Sequence, residues 1–257
     1  MSDQSLDPRL GEALARLASV DQLLVGSDYD GVLAPIVTDP ALARPLPAAL
    51  DALRELSKLP RTTVALVSGR VRQQLAELAP LPPQVHLVGS HGSEFDDRAR
   101  LTPAQATLRQ RLADVVHQLV ADLPGVRVEH KPASVAVHTR TAEPQIATRA
   151  QRAVVEGPAQ WPGVHPLQGK EVVELTVSPS NKGTAVAILR DEHAADAVLF
   201  LGDDVTDEYA FEVLGEQDVG VKVGPGDTRA RYRVPDPQAV VEVLSTLVRL
   251  RREATSG

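Results

Sequence analysis

The sequence predicts an α/β protein: a parallel sheet covered by helices, with a small α+β module inserted into it. Two observations carry this. Short apolar runs rich in Val and Leu recur, each closed by a turn signal and followed by a helical pattern, as in strands buried on both faces. In the middle of the chain the pattern changes to the apolar/polar alternation of half-buried antiparallel strands.

The runs of the first kind are Leu23-Leu24-Val25-Gly26-Ser27, Val64-Ala65-Leu66-Val67, Val85-His86-Leu87-Val88, Val198-Leu199-Phe200-Leu201 and Val219-Gly220-Val221-Lys222-Val223. Helical patterns are expected over 48–59, 71–78, 182–189, 207–214 and 237–250, with the tail after residue 252 left unstructured. In the middle, helices are expected over 103–123 and 144–156, and strands over 126–129, 134–138 and 170–177. The division expected is therefore a core of residues 1–100 and 180–257 and an inserted domain of 101–179, with hinges near 98–103 and 178–181. Prolines cluster at 80–83 and at 158, 162 and 166, where they suit turns.

Composition narrows the function classes. The chain has 257 residues, 34 acidic against 27 basic, a net charge of −7 and no cysteine. Thiolate metal sites, disulfides and cysteine nucleophiles are excluded. The acidic balance and the seven aromatic residues argue against nucleic-acid binding. No apolar run approaches the ~20 residues of a membrane span, and the polar opening MSDQSLDPRL is unlike a signal peptide. The expected setting is the cytoplasm. Only five of the basic residues are lysine (Lys58, Lys131, Lys170, Lys182 and Lys222). In a chain that so prefers arginine, a retained lysine is a candidate for a role that a guanidinium cannot fill.

Ligands of an open α/β sheet bind beyond the carboxyl ends of its strands, so the residues there matter most. The first strand ends in Asp28-Tyr29-Asp30-Gly31, where Asp28 and Asp30 share a direction in extended chain. The second ends in Ser68-Gly69-Arg70, the fourth in Gly202-Asp203-Asp204-Val205-Thr206-Asp207, and Lys182 opens a helix. Carboxylates gathered at one edge repel one another unless a cation is present. Hard oxygen ligands suit Mg²⁺ together with a substrate phosphate. Ser68, nearby amides and Lys182 supply donors and positive charge for a phosphoryl group. Taken singly, an Asp-x-Asp is a turn, Ser68 a cap and Lys182 a solvated side chain. Their order and shared strand-end location point to phosphoryl transfer.

These segments resemble the four motifs of the haloacid-dehalogenase-like (HAD) phosphatases. The resemblance implies a Rossmann-like core with Asp28 as nucleophile, forming an aspartyl-phosphate, and Asp30 as general acid and then base. It implies Mg²⁺ held by Asp28, the Asp30 carbonyl and Asp203, with Asp204 and Asp207 holding its waters or supporting its ligands. Ser68, Gly69 and Lys182 would bind the phosphoryl oxygens. Val32 stands where the motif usually has threonine. Asp30, which the dehalogenases of the superfamily lack, favours a phosphatase.

Further segments, in the same order along the chain, resemble the trehalose-6-phosphate phosphatase family: DYDGVLAPIV (28–37), GSHGSE (89–94), EHKPASVAVHTR (129–140), Gly169–Glu174 and GDDVTDEYAF (202–211). That similarity implies trehalose 6-phosphate as substrate and makes the inserted domain a cap that reads the sugar. Glu129, Lys131 and Glu174 would bond glucose hydroxyls, with Ser134 and Arg140 as further candidates. Carboxylates and ammonium groups suit a substrate rich in hydroxyls, and a site so built rejects sugars that leave them unpaired. His91 and His138 read as packed or capping side chains, and His130 alternates away from Glu129 and Lys131. Thr139 replaces an aromatic common in the family, and Leu175-Thr176-Val177 follows Glu174 where a basic residue and a proline are usual. A trehalose-6-phosphate synthase on another protein would supply the substrate. The rivals are a HAD phosphatase for another sugar phosphate, such as sucrose phosphate, and a non-catalytic subunit keeping the fold. The cap residues argue against the first and the complete set of core carboxylates against the second.

Overall fold

The computed structural model describes residues 6–95, 101–169 and 171–255. Residues 98–100 of the first expected hinge, and Lys170, lie outside them. In chain order the elements are α1 (Pro8–Ala18), β1 (Leu23–Ser27), α2 (Pro47–Leu56), β2 (Thr62–Val67), α3 (Arg72–Leu78), β3 (His86–Gly89) and β4 (Glu94–Phe95). Then follow α4 (Pro103–Val120), β5 (Arg127–His130), β6 (Ser134–His138), α5 (Pro144–Glu156), β7 (His165–Gly169) and β8 (Val172–Thr176). The chain ends with α6 (Lys182–Glu192), β9 (Ala197–Gly202), α7 (Glu208–Glu212), β10 (Val219–Val223), β11 (Tyr232–Val234) and α8 (Pro237–Thr255).

Seven strands form one sheet in the order β11-β10-β9-β1-β2-β3-β4, parallel except at the β3–β4 edge. Alternate residues of β1 face opposite layers. Leu23 and Val25 pack with Leu14 of α1, Leu53 of α2 and Leu244 of α8. Leu24 packs on the other face with Val186 and Leu189 of α6 and Phe211 of α7. A strand buried on both faces needs apolar residues throughout, which is why β1 reads as a continuous run. Val32, in the threonine position, is fully buried in the first cluster, so its methyls pack where a hydroxyl would need a partner.

A second sheet, β5-β6-β8-β7, is antiparallel throughout. One face carries Val135, Val137, Val173 and Leu175 against Leu112 and Val116 of α4 and Val154 of α5, a separate apolar core. The other face is polar. Glu129, Ala136 and Glu174 fall in one row across β5, β6 and β8, with a small alanine between the two acids. The two sheets thus have the α/β and α+β character the sequence predicts.

Several elements differ from expectation. Helix α1 was not anticipated, although Asp7 caps it and Pro8 fills its first turn, where a missing N–H costs nothing. Pro166, expected in a turn, lies inside β7; this is an edge strand, where proline is tolerated. Helix α8 continues to Thr255, past the expected end. No helix among the described residues is long and apolar enough to cross a membrane.

The extension of α8 has a cause. Arg251, 1 % exposed, donates to the carbonyls of Ala18 (3.0 Å), Val20, Asp21 (2.8 Å) and Arg61 (2.8 Å) and to Thr62 Oγ1 (3.1 Å). One guanidinium therefore ties the last helix to the end of α1 and the start of β2. Arg251→Ala removes bonds made by a charged donor and strands several carbonyls, so it is expected to lower unfolding stability by roughly 3 kcal/mol. Urea denaturation checks this; a loss below about 1 kcal/mol would mean that water replaces the guanidinium.

Candidate active site

Strand β1 lies at the centre of the large sheet, and its register sets the site. Ser27 stands opposite Leu66 of β2 and Leu201 of β9, so the chain leaves all three strands at one edge. Asp28, Ser68 and Asp203 follow there in turn.

Asp28 is nearly fully buried. One carboxylate oxygen accepts from the Tyr29 N–H at 2.6 Å and the other from Lys182 Nζ at 2.7 Å. Lys182, 1 % exposed, opens α6 behind the cap of Asn181 and also reaches Asp207 at 2.8 Å. Burial opposes its charge, but Asp207 and Asp28 outweigh that and hold its pKa above the usual lysine range. Asp28 is raised well above the carboxylate range, chiefly by burial and only partly offset by Lys182, with Asp207 and Asp203 adding repulsion.

Carboxylate oxygens of Asp28, Asp203 and Asp207 gather within 4.8 Å of one another. Asp207 is occupied: one oxygen accepts from Lys182, the other from the N–H groups of Asp203 and Asp204, both at 3.0 Å. It braces the loop. The Asp203 carboxylate lies against Gly31, whose φ is +74°; a Cβ there would fall 2.1 Å from Asp203 Oδ2, so only glycine admits it. Burial, then the Asp207 charge, pushes Asp203 up to about 7. Lys182 and Lys222 offset only part of this repulsion, and the cluster of hard oxygens fits a small divalent cation between Asp28 and Asp203. Asp204 is partly exposed beside Gly169 of β7.

Asp30 is held by Arg70, whose Nε and a terminal nitrogen donate to its two oxygens at 2.7 and 2.6 Å. Arg70 also lies over the Tyr29 ring, 5.2 Å from its centroid. Ser68 is 1 % exposed, and its N–H is tied to Val88 of β3. Lys222, on β10, donates to the Asp203 carbonyl.

The polar face of the second sheet meets this edge. Lys131 Nζ donates to the Gly69 carbonyl at 2.7 Å and to Glu174 at 2.6 Å, and Ser134 Oγ donates to Glu174 at 2.5 Å. Burial works against the charge of Glu174, but Lys131 and then His91 outweigh it and hold its pKa far below the usual range. Lys131, Ser134 and Glu174 are thus brought together on the Ser68-Gly69-Arg70 turn. Glu129 stands aside, bonded to His138 at 2.8 Å. Arg140 is exposed at the rim, paired with Glu171 at 3.1 Å and reaching the Val37 carbonyl at 3.4 Å.

Of the candidates the sequence singled out, Asp28, Lys182, Asp203 and Asp207 come together, Asp30 is tied to the Ser68-Gly69-Arg70 turn through Arg70, and Lys131, Ser134 and Glu174 gather on that turn from the second sheet, whereas Asp204, Glu129 and Arg140 stand outside these groups. Arg70, His91 and Lys222 were given no role in advance. Arg70 and His91 lay in segments the motifs had marked, Ser68-Gly69-Arg70 and 89–94, and Lys222 carried the scarcity of lysine.

A family model described as trehalose-phosphatase matches residues 27–238. The trehalose-phosphate phosphatase of Mycobacterium tuberculosis is 35% identical over 269 residues, covering 96% of this chain and 68% of that one. A bifunctional trehalose-6-phosphate synthase/phosphatase of Thermoproteus tenax is 36% identical over 241 residues; the match covers 90% of this chain but only 32% of that protein's length. Among solved structures, the C-terminal domain of C. albicans trehalose-6-phosphate phosphatase superposes with a TM-score of 0.80 at 25% identity, covering 94% of this chain and 97% of that one. The matched span runs from the last residue of β1 into α8 and takes in the strand-end cluster, the second sheet and every other strand of the large sheet, and on that extent the chain belongs to the trehalose-phosphatase family.

Proposed function

We propose that this chain is a Mg²⁺-dependent phosphatase that hydrolyses trehalose 6-phosphate to trehalose and phosphate through an aspartyl-phosphate on Asp28. The observation that carries the reading is the bond from Lys131 Nζ to the Gly69 carbonyl, at 2.7 Å. It joins a buried cluster able to read hydroxyls to the turn that would hold a phosphoryl group. Residues 101–179 then act as the cap and the rest as the catalytic core.

Asp28, with the Asp30 carbonyl and Asp203, would hold Mg²⁺, which when bound offsets the negative charge of nucleophile and phosphate. Lys182 offsets part of the burial that raises Asp28 and, together with the cation, would favour its ionised form; it also adds positive charge beside the phosphoryl oxygens, and Ser68 with the Gly69 amide adds donors. The Asp28 carboxylate attacks phosphorus and the bond to the sugar oxygen breaks. Asp30 protonates that oxygen, then takes a proton from the water that cleaves the acyl-phosphate and restores Asp28. Arg70 occupies both Asp30 oxygens here, so proton donation requires Asp30 to leave Arg70. Glu174, Lys131 and Ser134 would bond glucose hydroxyls, with Glu129 and Arg140 at the margins. A trehalose-6-phosphate synthase would supply the substrate.

Phosphate release from trehalose 6-phosphate, sucrose 6-phosphate, glucose 6-phosphate and 4-nitrophenyl phosphate, with and without Mg²⁺, tests this. Mg²⁺-dependent release strongly preferring the trehalose ester is expected. Preference for another sugar phosphate would remove the substrate assignment and keep the chemistry; no release from any ester by folded protein would remove both.

A further inference from the structure

His91 has no place in the chemistry above, yet it sits where the two sheets meet. It follows β3 in a tight turn in which Ser90 and His91 both have left-handed backbones, at φ 46° and 53°. Such conformations are uncommon outside glycine and cost on the order of 1–3 kcal/mol each. Two main-chain bonds fasten this turn to the phosphate turn: His91 N–H to the Ser68 carbonyl at 2.9 Å and Ser90 N–H to the Arg70 carbonyl at 2.8 Å. The imidazole lies against Gly69. A Cβ on Gly69 would fall 2.5 Å from His91 Cε1, so the missing side chain makes the ring's berth.

From there Nε2 points across to the other sheet and lies 3.3 Å from Glu174 Oε2. Burial pushes the imidazole pKa down, with Glu174 opposing only in part, so the ring is neutral at pH 7. Its single proton belongs on Nε2, facing the carboxylate. Nδ1 is buried with no partner. A histidine kept only to fill the core would not combine a strained backbone with an unmet ring nitrogen. Both costs make sense if the ring is aimed at Glu174.

We propose that His91 is a positioning residue for sugar recognition: from the phosphate turn it orients the Glu174 carboxylate that bonds the sugar, and so links closure of the cap to the placement of the phosphoryl group. This rests on the reading of Lys131, Ser134 and Glu174 as the sugar-binding cluster. Lys131 holds the same Glu174 oxygen from the cap side, at 2.6 Å. The carboxylate is thereby gripped from both sheets, and each grip is weaker without the other.

The test is steady-state kinetics of His91→Asn, His91→Gln, Glu174→Gln and the His91→Asn/Glu174→Gln pair, on trehalose 6-phosphate and 4-nitrophenyl phosphate. Asparagine tolerates the left-handed backbone, which guards folding, but is too short to reach Glu174. Its kcat/KM for trehalose 6-phosphate is expected to fall about 30-fold, mainly through KM, the effect of losing a bond to a charged group. Loss on the aryl ester, which has no sugar, should be several-fold smaller. His91→Gln, which can donate from its amide, should recover most of the activity. In the Glu174→Gln background the asparagine change should cost less than about threefold more, because the two act through one contact. Equal losses on both esters, additive losses in the pair, or no recovery by glutamine would each overturn the inference while leaving the phosphatase reading intact. Wild-type enzyme active on the aryl ester but inert toward trehalose 6-phosphate would overturn the sugar reading, and this inference with it.

Discussion

Asp28→Asn is expected to abolish turnover of every phosphate ester, whereas Asp30→Asn should spare the first chemical step where the leaving group needs no proton. An amide at position 28 cannot attack phosphorus, and removal of a covalent nucleophile costs on the order of 10⁶-fold. The substitution also removes the negative charge facing Lys182 at 2.7 Å. Lys182 keeps Asp207 at 2.8 Å as partner, so folding should survive and the loss should be chemical. Asp30 carries a different burden. Trehalose leaves as a poor alkoxide and needs a proton, so Asp30→Asn should slow trehalose 6-phosphate hydrolysis about 10³-fold, within the range for general acids. A nitrophenolate leaves without help. With 4-nitrophenyl phosphate the same variant should release one equivalent of nitrophenolate in a burst and then stall, because no base remains to activate water. Stopped-flow absorbance reads the burst, and acid-quenched protein should carry phosphate on Asp28. A variant at position 30 that turns over steadily on both esters would remove Asp30 from the mechanism. A burst from Asp28→Asn would mean that another side chain is the nucleophile.

How much of this was legible in advance follows from what each signal encodes. Burial on both faces writes itself into a strand as an unbroken apolar run, so β1, β2, β9 and β10 could be read directly. The polar face of β5, β6 and β8 was readable because alternation places Glu129 and Lys131 on one side. Pro166 hid β7, since local chemistry points to a turn and only its position at the sheet edge makes it a strand. The scarcity of lysine proved a useful pointer: Lys131, Lys182 and Lys222 are all buried, while Lys58 pairs with Glu55 on the surface. Contacts between distant segments left no local trace. Arg70 grips Asp30 across 40 residues of chain, and His91 meets Glu174 from the opposite sheet. Arg140 shows the reverse case: the motif marks it, but its bond to Val37 puts it at the rim, where it touches the core's own loop.

Asp203→Asn should make the metal-free protein more stable at pH 8 and inactive at any pH. The Asp203 carboxyl is pushed up to about 7, first by burial and then by the charge of Asp207, from an ordinary value of 3.8. The folded state therefore binds this proton more tightly than the unfolded chain does. That contribution to stability is full below about pH 4 and is lost as pH rises towards 7, the reverse of a salt-bridged acid. A rise of that size bounds the effect at about 4 kcal/mol; relaxation of a partly exposed cluster of interacting charges reduces it to roughly 2 kcal/mol. For a chain of this size the melting temperature of Asp203→Asn should exceed that of wild type by about 5 °C at pH 8 in a chelator, with the gap closing at pH 5. Added Mg²⁺ should raise the wild-type melting temperature, because a ligand bound only by the folded state stabilises it. The rise should be larger at pH 8 than at pH 5, where a proton competes for Asp203, and absent in the variant. Scanning calorimetry across this matrix separates the possibilities. A variant less stable than wild type at pH 8 without metal would mean that Lys182 and Lys222 already satisfy the cluster. A Mg²⁺-dependent rise that survives the substitution would move the ion away from Asp203. The same repulsion that costs stability without metal would favour a small divalent cation at neutral pH, so a stabilised variant without activity is the expected signature of a cluster shaped for that cation.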